Sequence, residues 1–468
     1  MTENNNRTKF TTLVILLAAF IAWMHDGYSL VLISALSTEL QSYFIGISDA
    51  HIGLVISLQF VFTVPGAILF GELGDRFGRK KALIVSIAWD AIFSSMTALV
   101  PATMFWLFAV LRLLSGLGVS WGISFSLISE YFSPKKRGAA GGLVHSTFVF
   151  GYVGALLTTM VLGPIGWQWC FLTALFPFPF LLLFWYKLPE SAVWSEYDKI
   201  RKEKGEKQKL RIKEVFSKKW ARLTILLIIL FWFAEIAYHA LVDWAPQFFQ
   251  YLFTYKEAAT KAPLLNTFET FFAQVLQEFF QYRGGSAAKT TSLLYMLILM
   301  LVAAGGLFFF GALSDYIGRK KAFGIDNILG IVGGVIFAIS ILFVFNTNVL
   351  LVTAVIITLG FGLHGIFGVW SSELYDTELR ASANSVIFSI ARGASFGGFF
   401  VGLISDALNP YNTITQKLLN PLISMKALGT GMILSLIAFI GVFITLIFVP
   451  EPTDKTITAM SKADVLKP

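Results

Sequence analysis

The chain has 468 residues, of which 56% are hydrophobic and 14% charged, with a mean hydropathy of +0.72. Such a composition excludes a soluble globular domain and places the protein in a bilayer. The net charge of +8 does not point to nucleic acid, because the basic inner face of a membrane protein accounts for it.

In chain order, twelve apolar runs have the roughly 20-residue length that crosses a bilayer as a helix. They lie at about 11–34, 51–71, 82–100, 104–129, 139–162, 167–187, 221–250, 291–312, 322–345, 348–372, 383–405 and 427–449. The expected fold is an all-α membrane protein of two six-helix bundles, 1–189 and 221–450, with a tail at 451–468. Between the bundles, 190–220 is rich in Lys and Glu and reads as a cytoplasmic, partly helical linker. A second long connection, 251–290, reads as an extracellular insertion. Within it Phe268, Phe271, Phe272, Val275, Leu276, Phe279 and Phe280 recur at helical spacing, which favours an amphipathic helix at the membrane surface or outer mouth over a ligand lid.

With the N-terminus inside, 28 of the 36 Lys and Arg fall on the cytoplasmic side and 6 outside, and Arg112 and Arg392 lie within helices. This asymmetry places both termini in the cytoplasm of a multi-pass plasma-membrane protein. The first apolar run is too long for a cleavable signal peptide, and Met1 to Lys9 lacks the usual form. The single Cys170 rules out an internal disulfide and a zinc site built on several thiolates.

The halves repeat one another. Gly71-Glu-Leu-Gly-Asp75-Arg-Phe-Gly78-Arg79-Lys80-Lys81 returns 240 residues later as Gly311-Ala-Leu-Ser-Asp315-Tyr-Ile-Gly318-Arg319-Lys320-Lys321. Glu130 to Arg137 is echoed by Glu373 to Arg380, and Pro189-Glu190 by Pro450-Glu451. Taken by itself, each loop places an acid beside a helix N-terminus and bases within reach of carboxylates or lipid phosphates.

These paired loops resemble the signature of the major facilitator superfamily. Arg112-x-x-x-Gly116-x-Gly118, Pro189-Glu190-Ser191 and the two Glu-to-Arg segments are similar to the sugar porter, organic ion transporter and metabolite:proton symporter branches. Asp26-Gly27-Tyr28 resembles the Asp-Gly-Tyr/Phe-Asp pattern of metabolite and aromatic-acid symporters, with Ser29 in place of the second acid. The resemblance implies a secondary active transporter with alternating access, working as a monomer on a small molecule and protons, with no cofactor or metal. It also implies a cytoplasmic gate of charge networks made by Asp75, Arg79, Glu130, Arg137, Asp315, Arg319, Glu373 and Arg380, holding the bundles together when the protein is open outward.

Ionisable groups at membrane depth mark the expected site, since a charge there costs at least about 2.5 kcal/mol unless paired or hydrated. Asp26 and Arg112 come first; the resemblance to sugar porters implies a pair in which proton binding alternates with the salt bridge, and a static structural ion pair is the other reading. Around the substrate, the resemblance suggests His145 and Arg392, and the latter's planar guanidinium suits a carboxylate or phosphate. Glu235, His239 and Asp243 recur every four residues and so share a helix face with Tyr238 nearby. His364, Phe367, Trp370, Trp23 and Tyr28 are candidate aromatic walls. Asp90 and Asp326 fall inside predicted helices without an assigned role. The segment from Phe233 to Asp243 lacks the Gln pair of sugar porters. The expected function is therefore proton-coupled symport of a small organic anion. Organic cation or drug export against protons is the alternative, followed by sugar symport and a receptor that has lost transport. No Walker-type loop is present, so an enzyme is not expected.

Overall fold

The computed structural model describes residues 2–124, 134–191, 212–260, 287–375, 377–393 and 396–451, with a few isolated linker positions. Among the described residues, twelve helices are long and apolar enough to cross a membrane. They are α1 (Leu13–Ala35), α2 (Asp49–Gly74), α3 (Arg79–Leu99), α4 (Phe105–Ser124), α5 (Leu143–Leu162), α6 (Trp167–Lys187), α7 (Ala221–Lys256), α8 (Ala288–Ile317), α9 (Arg319–Leu342), α10 (Thr347–Ser371), α11 (Val386–Leu408) and α12 (Pro421–Phe448). All twelve predicted runs coincide with them to within several residues. The start of α1 and the end of α12 share one face, called here the terminal face, and the opposite one is the far face.

The largest departure concerns the predicted 251–290 connection. The helix Ala245–Thr260 carries α7 through its first residues, and Lys289 belongs to the helix Ala287–Ile317. The stretch with the Phe268 to Phe280 pattern lies outside the described residues. Within the predicted linker, a short helix spans Ile212–Val215.

Packing repeats the sequence symmetry. A Cβ on Gly66 would lie 2.2 Å from the Leu117 carbonyl oxygen, and its counterpart on Gly306 would lie 3.3 Å from that of Leu359. Likewise Gly118 presses on the Asp90 backbone and Gly360 on that of Gly330. These small residues let helix backbones approach, which supplies packing where lipid provides no hydrophobic contrast.

The repeated loops turn through Gly78 and Gly318, at φ of 104° and 96°, a left-handed region that favours glycine. The helices that follow are capped by acids from the end of each half. The Lys80 amide donates to Glu190 Oε1 at 3.1 Å, and the Arg319 and Lys320 amides donate to Glu451 at 2.7 and 2.8 Å. At these two helix starts the cap is not Asp315. The Pro-Glu segments reach back to the helix ends, while Asp315 pairs with Arg319 at 2.5 Å, and the side chain of Asp75 lies outside the described residues.

Between bundles, α2 packs along α11 and α5 along α8. Gly53 abuts the Gly398 carbonyl and Gly402 that of Asp49. The described cross-bundle hydrogen bonds gather towards the far face. Ser34 donates to the Asp243 carbonyl, Tyr152 to that of Val242 at 3.2 Å, and Lys289 to that of Ala35 at 3.0 Å. Asp49 is fully buried and paired with Lys417 at 2.6 Å, so the far face is closed.

Candidate substrate cavity and buried charge clusters

Between the bundles, midway along the helices, lies a cleft lined from one side by Trp23, His145, Phe148, Val149 and Tyr152. From the other bundle come Glu235, Tyr238, Met300, Ala303, Leu307, Phe361, His364, Phe388 and Arg392. A mostly apolar cleft with a few converging polar groups is the usual form of a small-molecule site. Toward the terminal face it has an aromatic floor. Trp121 of α4 stacks on Phe388 of α11 at 4.0 Å, and Phe231 of α7 stacks on Phe367 of α10 at 3.9 Å, with Phe388 5.0 Å from Phe231.

Arg392 is the cavity's cation. Its guanidinium carbon sits over the rings of Phe60 at 4.7 Å, Phe148 at 5.2 Å, Trp23 at 5.5 Å and Phe388 at 5.7 Å. It is buried, and its Nη1 has no hydrogen-bond partner among the described residues. The ring faces attract the cation without using its N–H donors. The group is thus held in place with donor capacity left for a ligand.

Of the residues expected to bind substrate, His145, Glu235, Tyr238 and Arg392 line the space. His239 stands behind Glu235, its ring 4.1 Å from that of Phe60 on the other bundle. Trp370 and Tyr28 are corrections. Trp370 lies at the terminal end of α10, against Phe323, and donates to the Pro450 carbonyl at 3.3 Å. Tyr28 turns into its own bundle, where its hydroxyl meets the Cys170 carbonyl at 3.1 Å and the Thr173 hydroxyl.

Asp26 and Arg112 are both buried but make no ion pair with one another among the described residues. The backbone of α4 leaves helical geometry after Leu117, which frees the Ser120 amide. Asp26 Oδ2 accepts from that amide and from the Ser120 hydroxyl, each at 3.0 Å. Arg112 instead donates to Ser94 Oγ at 2.7 Å and to the Ser29 carbonyl at 2.5 Å. In this conformation the two are joined through α1 and Ser94 rather than by a direct salt bridge.

Asp90 and His25 complete this cluster. Ser29 donates to Asp90 Oδ1 at 2.8 Å, and Asp90 Oδ2 lies 3.1 Å from His25 Nδ1. Since His25 Nε2 meets the Ala174 carbonyl at 2.9 Å, that nitrogen carries a hydrogen, and a proton is also needed between Nδ1 and the acid. Neither His25 Nδ1 nor Asp26 Oδ1 has an aligned hydrogen-bond partner among the described residues. Ligand atoms of His25, Asp26 and Asp90 all lie within 4.8 Å of one another, a spacing that would also suit a cation. Arg112, bonded through Ser29 and Ser94 to the same cluster, already supplies positive charge. At position 29 the acid of the related pattern is missing, and the serine there reaches Asp90 of α3 instead.

The gate residues divide between described and undescribed parts. Arg319 bridges Asp315 at 2.5 Å and Glu373 at 2.9 Å, all within one bundle, so this part of the network does not tie the bundles together. Arg79 lies beside Gly74. The side chains of Glu130, Arg137 and Arg380 lie outside the described residues. Asp326, left without a role, caps the break in α10 by accepting from the Leu363 amide at 2.7 Å.

A family model described as Major Facilitator Superfamily matches residues 15–402. The cis,cis-muconate transport protein of Acinetobacter baylyi is 24% identical over 416 residues, covering 87% of this chain and 91% of the relative. The 3-(3-hydroxy-phenyl)propionate transporter of Escherichia coli is 31% identical over 201 residues, 42% of this chain and 47% of the relative. Among solved structures, a D-xylose-proton symporter superposes with a TM-score of 0.67 at 17% identity, covering 95% of this chain and 99% of the other.

Proposed function

The chain belongs to the Major Facilitator Superfamily, and from that premise we propose that it carries a small organic anion, a carboxylate, together with a proton by alternating access. In this reading it works as a monomer in the plasma membrane, with both termini in the cytoplasm. The observation that carries the anion is Arg392, a buried guanidinium with an unpartnered Nη1 on the cavity wall. Both relatives named above are transporters of compounds whose names denote carboxylates, which supports the same reading.

The alternatives are weaker on specific grounds. A cationic drug needs a free acid, yet Glu235 lies 3.3 Å from His239 and 3.6 Å from His364. For a sugar, the described residues that line the cavity include no Asn or Gln. The proposed step begins with the anion on Arg392 and a proton on Asp26, whose Oδ1 is free to take it. Rearrangement of the aromatic floor and of the far-face contacts then exposes the cavity to alternate sides.

A thermal-shift screen of the purified protein against carboxylates, sugars, phosphate and lipophilic cations tests the substrate class, because a ligand bound only by the folded state raises its melting temperature. Carboxylates are expected to stabilise it, and stabilisation by cations alone would overturn the proposal. Asp26→Asn is expected to abolish accumulation driven by a pH gradient in proteoliposomes while leaving counterflow exchange intact, since the amide mimics a protonated acid that cannot discharge. Undiminished gradient-driven uptake, or uptake by wild type that follows sodium rather than protons, would remove Asp26 from this role.

A further inference from the structure

The second bundle holds a buried ionisable row that the reading above leaves unused. On α7, His239 Nδ1 lies 3.0 and 3.1 Å from the two Asp243 carboxylate oxygens. Its Nε2 lies 3.3 Å from Glu235 Oε2, and Glu235 Oε1 lies 3.6 Å from His364 Nε2 of α10. All four side chains are at least nine-tenths buried, and the two Nε2 atoms have no aligned hydrogen-bond partner among the described residues. Two imidazole nitrogens thus lie beside one carboxylate.

The chemistry of a single ring decides what this row must hold. A neutral imidazole has one N–H, so one nitrogen of His239 would face a carboxylate with lone pair against lone pair in apolar surroundings. An extra proton, on the ring or on either acid, removes that repulsion. The groups facing the row from neighbouring helices are Arg392 of α11, His364 of α10, and His145 and Tyr152 of α5. Among the described residues, α1 and α2 contribute the Ser34 hydroxyl, on the Asp243 carbonyl, and the Phe60 ring. Arg392 can balance one of the two acids, which leaves the other to be neutralised by the extra proton, shared between its carboxyl and His239.

We infer that Glu235, His239 and Asp243 form a second proton-binding site, in the bundle that carries Arg392 and separate from Asp26. Glu235 and His364 touch the cavity, while Phe60 and Ser34 of the opposite bundle touch His239 and Asp243. Substrate occupancy and bundle separation therefore both act on this proton. It enters from the bulk phase to which the cavity is open and leaves to the other, with no bond to carbon made or broken.

The inference goes beyond the assignment of Asp26 and needs no identified substrate to test. Infrared difference spectra of the purified full-length protein between acidic and alkaline buffer report carboxyl protonation directly. Wild type is expected to show a carboxyl signal, part of which survives in Asp26→Asn and is lost in His239→Gln and, independently, in Glu235→Gln. Size-exclusion elution and helical circular dichroism identify folded variants, and Asp243→Asn serves if one of the others misfolds. If the folded row variants keep the wild-type signal, or if Asp26→Asn alone removes all of it, the inference is wrong. Loss of the whole signal in the row variants, with none lost in Asp26→Asn, would support this site and remove Asp26 instead.

Discussion

Replacing Arg392 by Ala is expected to weaken carboxylate binding by at least about thirtyfold. The estimate follows from the cost of truncating one member of a buried charge pair, on the order of 2 to 5 kcal/mol, with about 1.4 kcal/mol per tenfold change. Arg392→Lys should fall between the variant and wild type. The ammonium keeps the charge but loses the planar fork for bidentate contact and the flat stacking against Phe60 and Phe148. Calorimetric titration with the acid that gives the largest thermal shift measures both. An Ala variant that binds this acid as wild type does, or a best ligand that is cationic and gains affinity, ends the anion reading.

The architecture was legible because it is written in run length and repetition. Apolar runs and two copies of one loop suffice for twelve helices in two related halves. What the sequence hides is helix rotation. Tyr28 and Trp370 were expected to face the cavity, but a residue turns about 100° from its neighbour on a helix, so a small phase error moves a side chain to another face. Asp26 stood out as an acid at membrane depth, whereas its partners did not. Nothing in the sequence marks His25 beyond its place next to Asp26, and Asp90 falls inside a predicted helix with no role attached. The break in α4 that frees the Ser120 amide for Asp26 has no signal beyond Gly116 and Gly118, which equally suit close packing. Among 46 Phe, nothing in the sequence marks Phe60, Phe231 and Phe388 as cage and floor.

The far-face latch was equally hidden, because Asp49 and Lys417 sit 368 positions apart near helix ends, where isolated charges are ordinary. In the fold, Lys417 donates to Asp49 at 2.6 Å and to Asp406 at 3.2 Å. Asp49 also accepts from Gln247 at 3.0 Å, Gln41 at 2.9 Å and Ser405 at 3.0 Å. Removing one partner of a buried pair costs about 3 to 5 kcal/mol, because the remaining charge stays desolvated. Here that cost falls on the far-closed state alone, since opening the far face would hydrate Asp49. Lys417→Met is therefore expected to shift the population toward the far-open state. With Val149→Cys placed on the cavity wall and native Cys170 buried, a membrane-impermeant thiol reagent applied at the far face should label the Lys417→Met protein at least about tenfold faster. That ratio corresponds to only about 1.4 kcal/mol of bias, well inside the expected cost. Equal labelling rates with and without Lys417, in protein of equal helical content, would mean that the pair does not hold the far face shut.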